Sequence, residues 1–324
     1  MLPLPASSYQ RHRIHPQPSR SLSKLLRTPA RLTNFAVFLL LTLLVFSVFL
    51  NLRYIYTPTT RYQHVFPPRS IIDTLPATLK VGLDHLVIVP GHSIWTGSRP
   101  EDAEVEESWI LASYQKGRRR PSIFRAHISR GSQIAIEDPR ALLVFSGGYT
   151  SLLSATSEAE SYLRFARVTG LIPPSDSFTR VTTEDAALDS FQNVLFSIAR
   201  FREITGAYPH RITVVGHDFK RRRFEQLHRL ALRWPNLHFT YDGIPLHNEA
   251  DEREGTAGEL ANAFNPYSTD LYGCHAPLVQ KRAGRNFHAR THGYHVGAPE
   301  LRELLEWCPR DGTQIFSGAL PWAK

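Results

Sequence analysis

Beyond residue 81 the chain alternates short, unbroken apolar runs with longer stretches whose apolar residues recur every three or four positions. The runs at residues 86–89, 141–145, 211–215 and 237–241 predict buried strands, and a weaker one covers residues 178–181. Helical spacing follows Pro100, with Val105, Trp109, Ile110 and Ala112 on one face, and recurs over residues 122–135. Ser157 with Glu160 three positions on predicts a capped start for a helix running to Gly170. Ala187, Phe191, Val194, Leu195 and Ile198 mark another apolar face, ended by Gly206, and a further helix covers residues 224–234. Strands in alternation with helices predict an α/β fold: a parallel sheet covered by helices on both faces.

The longest apolar run lies upstream, at residues 35–50, sixteen residues interrupted only by Thr42 and Ser47. With Leu52, Tyr54 and Tyr56 it reaches the roughly 17-residue lower limit for a membrane-spanning helix. A cleaved signal peptide would be followed by a small-residue cleavage site, and a 33-residue basic leader is long for one. A core helix would carry a polar face. The expected organisation is therefore a basic, disordered tail over residues 1–33, a transmembrane signal anchor over 34–52 and a Pro-rich stem over 53–80. An α/β domain over 81–245 and an irregular extension over 246–324, packed on that domain, follow.

The formal net charge of +9 changes meaning once it is located. Nine of the 38 basic residues precede Asp73, the first acidic residue, so the remaining 252 residues carry 29 basic and 29 acidic groups. A neutral folded part lacks the basic footprint that nucleic-acid binding needs. Six basic residues lie before the apolar run and three after it, which favours a cytoplasmic N-terminus, a single-pass anchor and a domain on the far side, in the endomembrane system (ER or Golgi). Cys274 and Cys308 are compatible with one disulfide, though two cysteines alone fix neither pairing nor compartment.

Three strand ends are unusual: Gly91-His92-Ser93, Ser146-Gly147-Gly148 and Gly216-His217-Asp218, the last running into Lys220-Arg221-Arg222-Arg223. Any one glycine pair reads as a tight turn. Three on one sheet point to a pocket at the carboxyl ends of the strands, with N–H groups turned toward an anion. Glu184, Asp185, Asp189, Ser190 and Asn193 form a fourth segment that can present an acid, a hydroxyl and an amide to one ligand, though composition alone reads it first as a helix cap with a solvated acidic first turn. Lys220-Arg221-Arg222-Arg223 is mostly a solvated face with one or two members turned inward. Cys274, His275, His288, His292 and His295 match no standard zinc spacing, and no metal site is expected.

Taken in order, these segments resemble domain-of-unknown-function family 218, which includes the YdcF-like and SanA-like proteins. The likeness covers about residues 84–245. It rests on Val89-Pro90-Gly91, on Leu142 to Gly148, on Ser157-Glu158-Ala159, on Glu184 to Asn193 against Glu-x-x-Ser-x-Asn-Thr-x-Glu-Asn, and on Val215 to Arg223 against Val-Thr-Ser-x-x-His-x-x-Arg. Lys220 stands where the family usually has histidine, and Asp189 and Gln192 replace the usual Asn and Glu. The Gly91-His92-Ser93-Ile94-Trp95 turn and the extension look more like a fungal branch.

The resemblance implies a Rossmann-like sheet, and for one branch S-adenosylmethionine binding. The expectation is an anionic, phosphate-containing or glycolipid-type substrate, with Glu184, His217 and Lys220 catalytic. Gly91, His92, Ser146, Gly147, Gly148, Ser190, Asn193, Asp218 and Arg223 would then bind the ligand, with Gly147 and Gly148 offering N–H groups. The alternatives are a nucleotide- or S-adenosylmethionine-binding module without chemistry of its own, and a scaffold with a vestigial pocket.

Overall fold

The computed structural model describes residues 29–56, 73–79 and 82–323. Most of the expected basic tail and stem lies outside them. The chain divides after His64 into an N-terminal unit and a globular unit.

Among the described residues the N-terminal unit contains the helix α1 (Pro29–Tyr56), whose 28 residues span about 42 Å at 1.5 Å each. Its Leu, Phe and Val side chains are exposed all round. The stretch Leu32–Arg53 is long and apolar enough to cross a membrane. Two of its polar side chains bond to the helix itself: Thr42 Oγ1 donates to Phe38 O and Asn51 Nδ2 to Ser47 O, each at 2.8 Å. That is how polar groups are tolerated where water is absent.

In the globular unit the strands are β1 (His85–Pro90), β2 (Ile94–Trp95), β3 (Trp109–Ile110), β4 (Ala141–Ser146), β5 (Val181–Glu184), β6 (Arg211–His217) and β7 (Phe239–Ile244). Five of them form a parallel sheet in the order β5-β4-β1-β6-β7, so the expected α/β fold class is the observed one. The chain builds outward from β1 to β5, then returns to the other side of β1 with β6. That reversal makes the carboxyl ends of β1 and β6 the switch point, where a crevice opens.

Helices α2 (Arg120–Glu137), α3 (Glu158–Val168) and α4 (Ser190–Thr205) cover the sheet. Each apolar strand splits its side chains between two cores. Leu86, Ile88, Leu142 and Val144 join the α4 face, while Val87, Val89, Leu143 and Phe145 join the face under α2 and α3. The α4 face is completed from the extension by Tyr267, Tyr272, Tyr294, Leu301 and Phe316. A disulfide joins Cys274 to Cys308 within that extension.

Several elements differ from their expectation. Residues 100–112 do not form an amphipathic helix but two 3₁₀ turns, Pro100–Glu104 and Glu106–Ser108, followed by β3, which pairs with β2. Asp102 accepts from the backbone N–H groups of Ser98 and Arg99, and Trp109 Nε1 donates to Ala103 O. Such local bonds compete with the helix ladder. The weak strand shifts from residues 178–181 to Val181–Glu184, because Phe178 turns into the core instead. Glu184 therefore ends a strand rather than opening a helix; α4 starts at Ser190, capped by Asp189, whose Oδ1 accepts from Gln192 N. The helix over residues 224–234 is a π-helical turn, Arg223–His228, continued by Arg229–Ala231.

Candidate functional site

A cavity of about 1030 Å³ lies outside the carboxyl ends of β1 and β6, lined among others by Gly91, His92, Glu158, Ser190, Asn193, His217, Lys220, Arg223 and Glu259. Gly147, Gly148, Ser146, Glu184 and Asp218 are not in its lining.

The glycines have a purpose other than the one expected. Gly91 N–H donates to Ser146 O at 2.7 Å, Gly147 N–H to Glu184 O at 2.9 Å and Gly148 N–H to Ala187 O at 2.7 Å. These donors are consumed by the ends of β4 and β5 and by the segment after β5, and none is left for a ligand. Instead, the missing side chains make room. A Cβ on Gly91 would fall 2.5 Å from Glu158 Cβ, and one on Gly147 would fall 2.7 Å from Glu158 Oε2. Glu158, the first residue of α3, fills that space, and Thr150 Oγ1 donates to its Oε1 at 2.6 Å. Burial pushes the Glu158 carboxyl above its ordinary range.

Glu184 sits beneath this floor, fully buried. Its Oε2 accepts from Ser146 Oγ at 2.6 Å, and its Oε1 accepts from Ala186 N at 2.8 Å and Tyr294 Oη at 3.0 Å. Asn193 Oδ1 lies 3.0 Å from the same Ser146 hydroxyl. Burial outweighs these bonds and raises the Glu184 pKa to about 7. The cluster ties β4, β5, α4 and the extension together rather than meeting a ligand.

On the far wall, Arg223 is held by Glu259: Nε is 2.8 Å from Oε1, and Nη2 donates to Oε2 at 3.0 Å. Its Nη1 donates to Ser190 Oγ at 2.9 Å, and that hydroxyl lies 2.8 Å from His228 Nε2. Asp218 turns away to pair with Arg221 at 2.7 Å. Lys220 remains. Its Nζ lies 3.5 Å from His92 Nδ1, and no carboxylate pairs with it among the described residues. Burial first, then the neighbouring Arg223, lowers its pKa to about 7.

His92, after β1, and His217, ending β6, line the cavity, and His127 of α2 is buried against them. His92 stacks on His217 with ring centroids 4.7 Å apart, and His127 meets His217 edge-on at 4.5 Å. Burial drives all three toward the neutral form. Of the carboxyl-terminal histidines, His275 Nε2 lies 2.8 Å from Pro309 O, and His292 packs on Phe196 and Tyr294. Cys274 and Cys308 are spent on each other.

The expected cluster is thus brought together in part. His92, His217, Lys220, Ser190, Asn193, Arg223 and Gly91 share one cavity, while Glu184, Ser146, Gly147 and Gly148 support it from below. Glu158, Glu259 and His127 had not been singled out. Glu158 had a signal, in the Ser157-Glu158-Ala159 likeness. Glu259 sits in the extension, and His127 among apolar helix positions reads as a core residue.

Over 280 residues the chain is 28% identical to Uncharacterized protein YOR238W of Saccharomyces cerevisiae, an alignment covering 71% of this chain and 90% of that protein. No family model and no solved structure matches it.

Proposed function

We propose that this protein is a membrane-anchored enzyme of the family-218 type, acting on a phosphate-containing or otherwise anionic substrate that enters the cavity above β1 and β6. The observation that carries the reading is the charge of the lining. Six basic side chains face four acidic ones, and Lys220 is half-buried there with no carboxylate paired to it among the described residues. A half-buried cation without a carboxylate beside it calls for a counter-charge, and an anionic ligand supplies it. Lys220 holds the anion, while Glu158 is the group at hand to take or give a proton. The nucleotide or S-adenosylmethionine module is less favoured, because the Gly147 and Gly148 N–H groups are already bonded to Glu184 O and Ala187 O.

The apolar helix α1 anchors the chain, with its N-terminus cytoplasmic and the globular unit on the other side of an endomembrane. The Cys274–Cys308 disulfide fits an oxidising lumen. Calorimetry of the full chain in detergent, with inorganic phosphate and pyrophosphate, tests the reading. Binding is expected, and Lys220→Met should abolish it while leaving the thermal unfolding profile in place. No heat with either anion, or equal heat in the variant, removes this function.

A further inference from the structure

We propose that His92, His127 and His217 form a binding site for a divalent transition-metal ion of the zinc type, set in the cavity wall. Three separate elements deliver these rings to one point: the turn after β1, the buried face of α2 and the last residue of β6. One ligand nitrogen from each can be chosen so that all lie within 4.8 Å of one another. Tetrahedral binding at about 2.0–2.1 Å puts such nitrogens roughly 3.3 Å apart, a closure that small ring rotations supply.

The second observation is the state of those nitrogens. His92 Nε2, both ring nitrogens of His127 and His217 Nδ1 are buried without a hydrogen-bond partner among the described residues. His127 is fully buried and His217 is 5% exposed. An orphaned buried ring nitrogen is costly, and three that converge call for a shared partner. An anion takes only the single N–H of each neutral imidazole and leaves the other ring nitrogen's lone pair unmet; a cation takes that lone pair. Three imidazoles with no carboxylate select zinc, cobalt, nickel or copper over magnesium or calcium. Three protein ligands leave a coordination position over for a ligand in the cavity.

The inference deepens the reading above, since the ion would hold the same anion that Lys220 holds. The two can still fail separately. Untagged full-length protein in detergent, stripped of metal by a chelator and then freed of it, is titrated with cobalt(II) in phosphate-free buffer. One equivalent of cobalt is expected to give the intense visible absorption of low-coordinate cobalt, and zinc should displace it. His127→Phe keeps the aromatic packing and removes a ligand. His92→Asn changes a residue on the cavity surface and guards against misfolding of the first variant. Each should weaken cobalt binding by more than roughly 100-fold, beyond the cost of losing an outer-shell partner. No cobalt absorption in the folded wild-type protein overturns the site, as does unchanged affinity in both variants. Phosphate binding measured with chelator present tests the anion reading on its own.

Discussion

Ser146 and Glu184 face each other across adjacent parallel strands, and the Ser146 hydroxyl donates to Glu184 Oε2 at 2.6 Å in a site closed to water. This places a carboxyl where its charged form is disfavoured, with a pKa of about 7 against an ordinary 4.5. Between those values the folded chain binds more protons than the unfolded one, so stability falls as pH rises. The contribution is fully present below about 4.5 and is lost as pH rises through about 7, at most about 3 kcal/mol. Glu184→Gln retains an acceptor for Tyr294 and Ala186 and should flatten the slope. Urea unfolding between pH 4 and 8 measures it, and an unchanged slope in the variant would assign the pH dependence to other groups.

Arg223 was expected to hold an anion, yet its guanidinium is already paired with Glu259 at side-chain exposures of 9% and 6%. Arg223→Met strands a buried carboxylate and should cost about 3–5 kcal/mol. Adding Glu259→Leu should recover most of that loss. If the double variant is no more stable than Arg223→Met alone, the pair is not what holds this wall together.

The sheet was legible because both its faces are buried, which leaves unbroken runs such as residues 86–89 and 141–145. Residues 100–112 misled because Val105, Trp109 and Ile110 sit at helical spacing by accident of a β-bridge and two tight turns, a choice made by Asp102 and its neighbours. The glycine-ended strands marked the correct edge of the sheet. They could not reveal which atoms face the cavity, since that depends on where Glu158 arrives from another element. Ion pairing hid in the same way: Glu259 lies 36 positions from Arg223 and no local pattern links them.

Gly91→Ala tests the claim that the turn is bare to admit Glu158. The added carbon would press within 2.5 Å of Glu158 Cβ, so the carboxyl must move or the turn must open. A cost of about 1–3 kcal/mol is expected, with weaker phosphate binding. Gly293→Ala is the control, because its added carbon meets nothing within 4 Å and should change stability by less than about 0.5 kcal/mol. Equal melting temperatures for the two variants would refute the packing argument.

The Cys274–Cys308 bond closes a 34-residue separation inside the extension that completes the α4 core. Chain entropy alone gives such a loop about 4 kcal/mol. Without the bond, Tyr272, Tyr294 and Leu301 must be held by packing and by the hydrogen bonds of the two tyrosines, so Cys274→Ser with Cys308→Ser should lower the unfolding midpoint and expose the extension to protease first. The same bond reports the compartment. A disulfide of this kind persists in an oxidising lumen and is reduced in the cytosol. Mass spectrometry of protein alkylated in sealed membranes should therefore find both thiols blocked from labelling. Full alkylation of Cys274 and Cys308 would place the globular unit on the cytosolic side and reverse the proposed orientation.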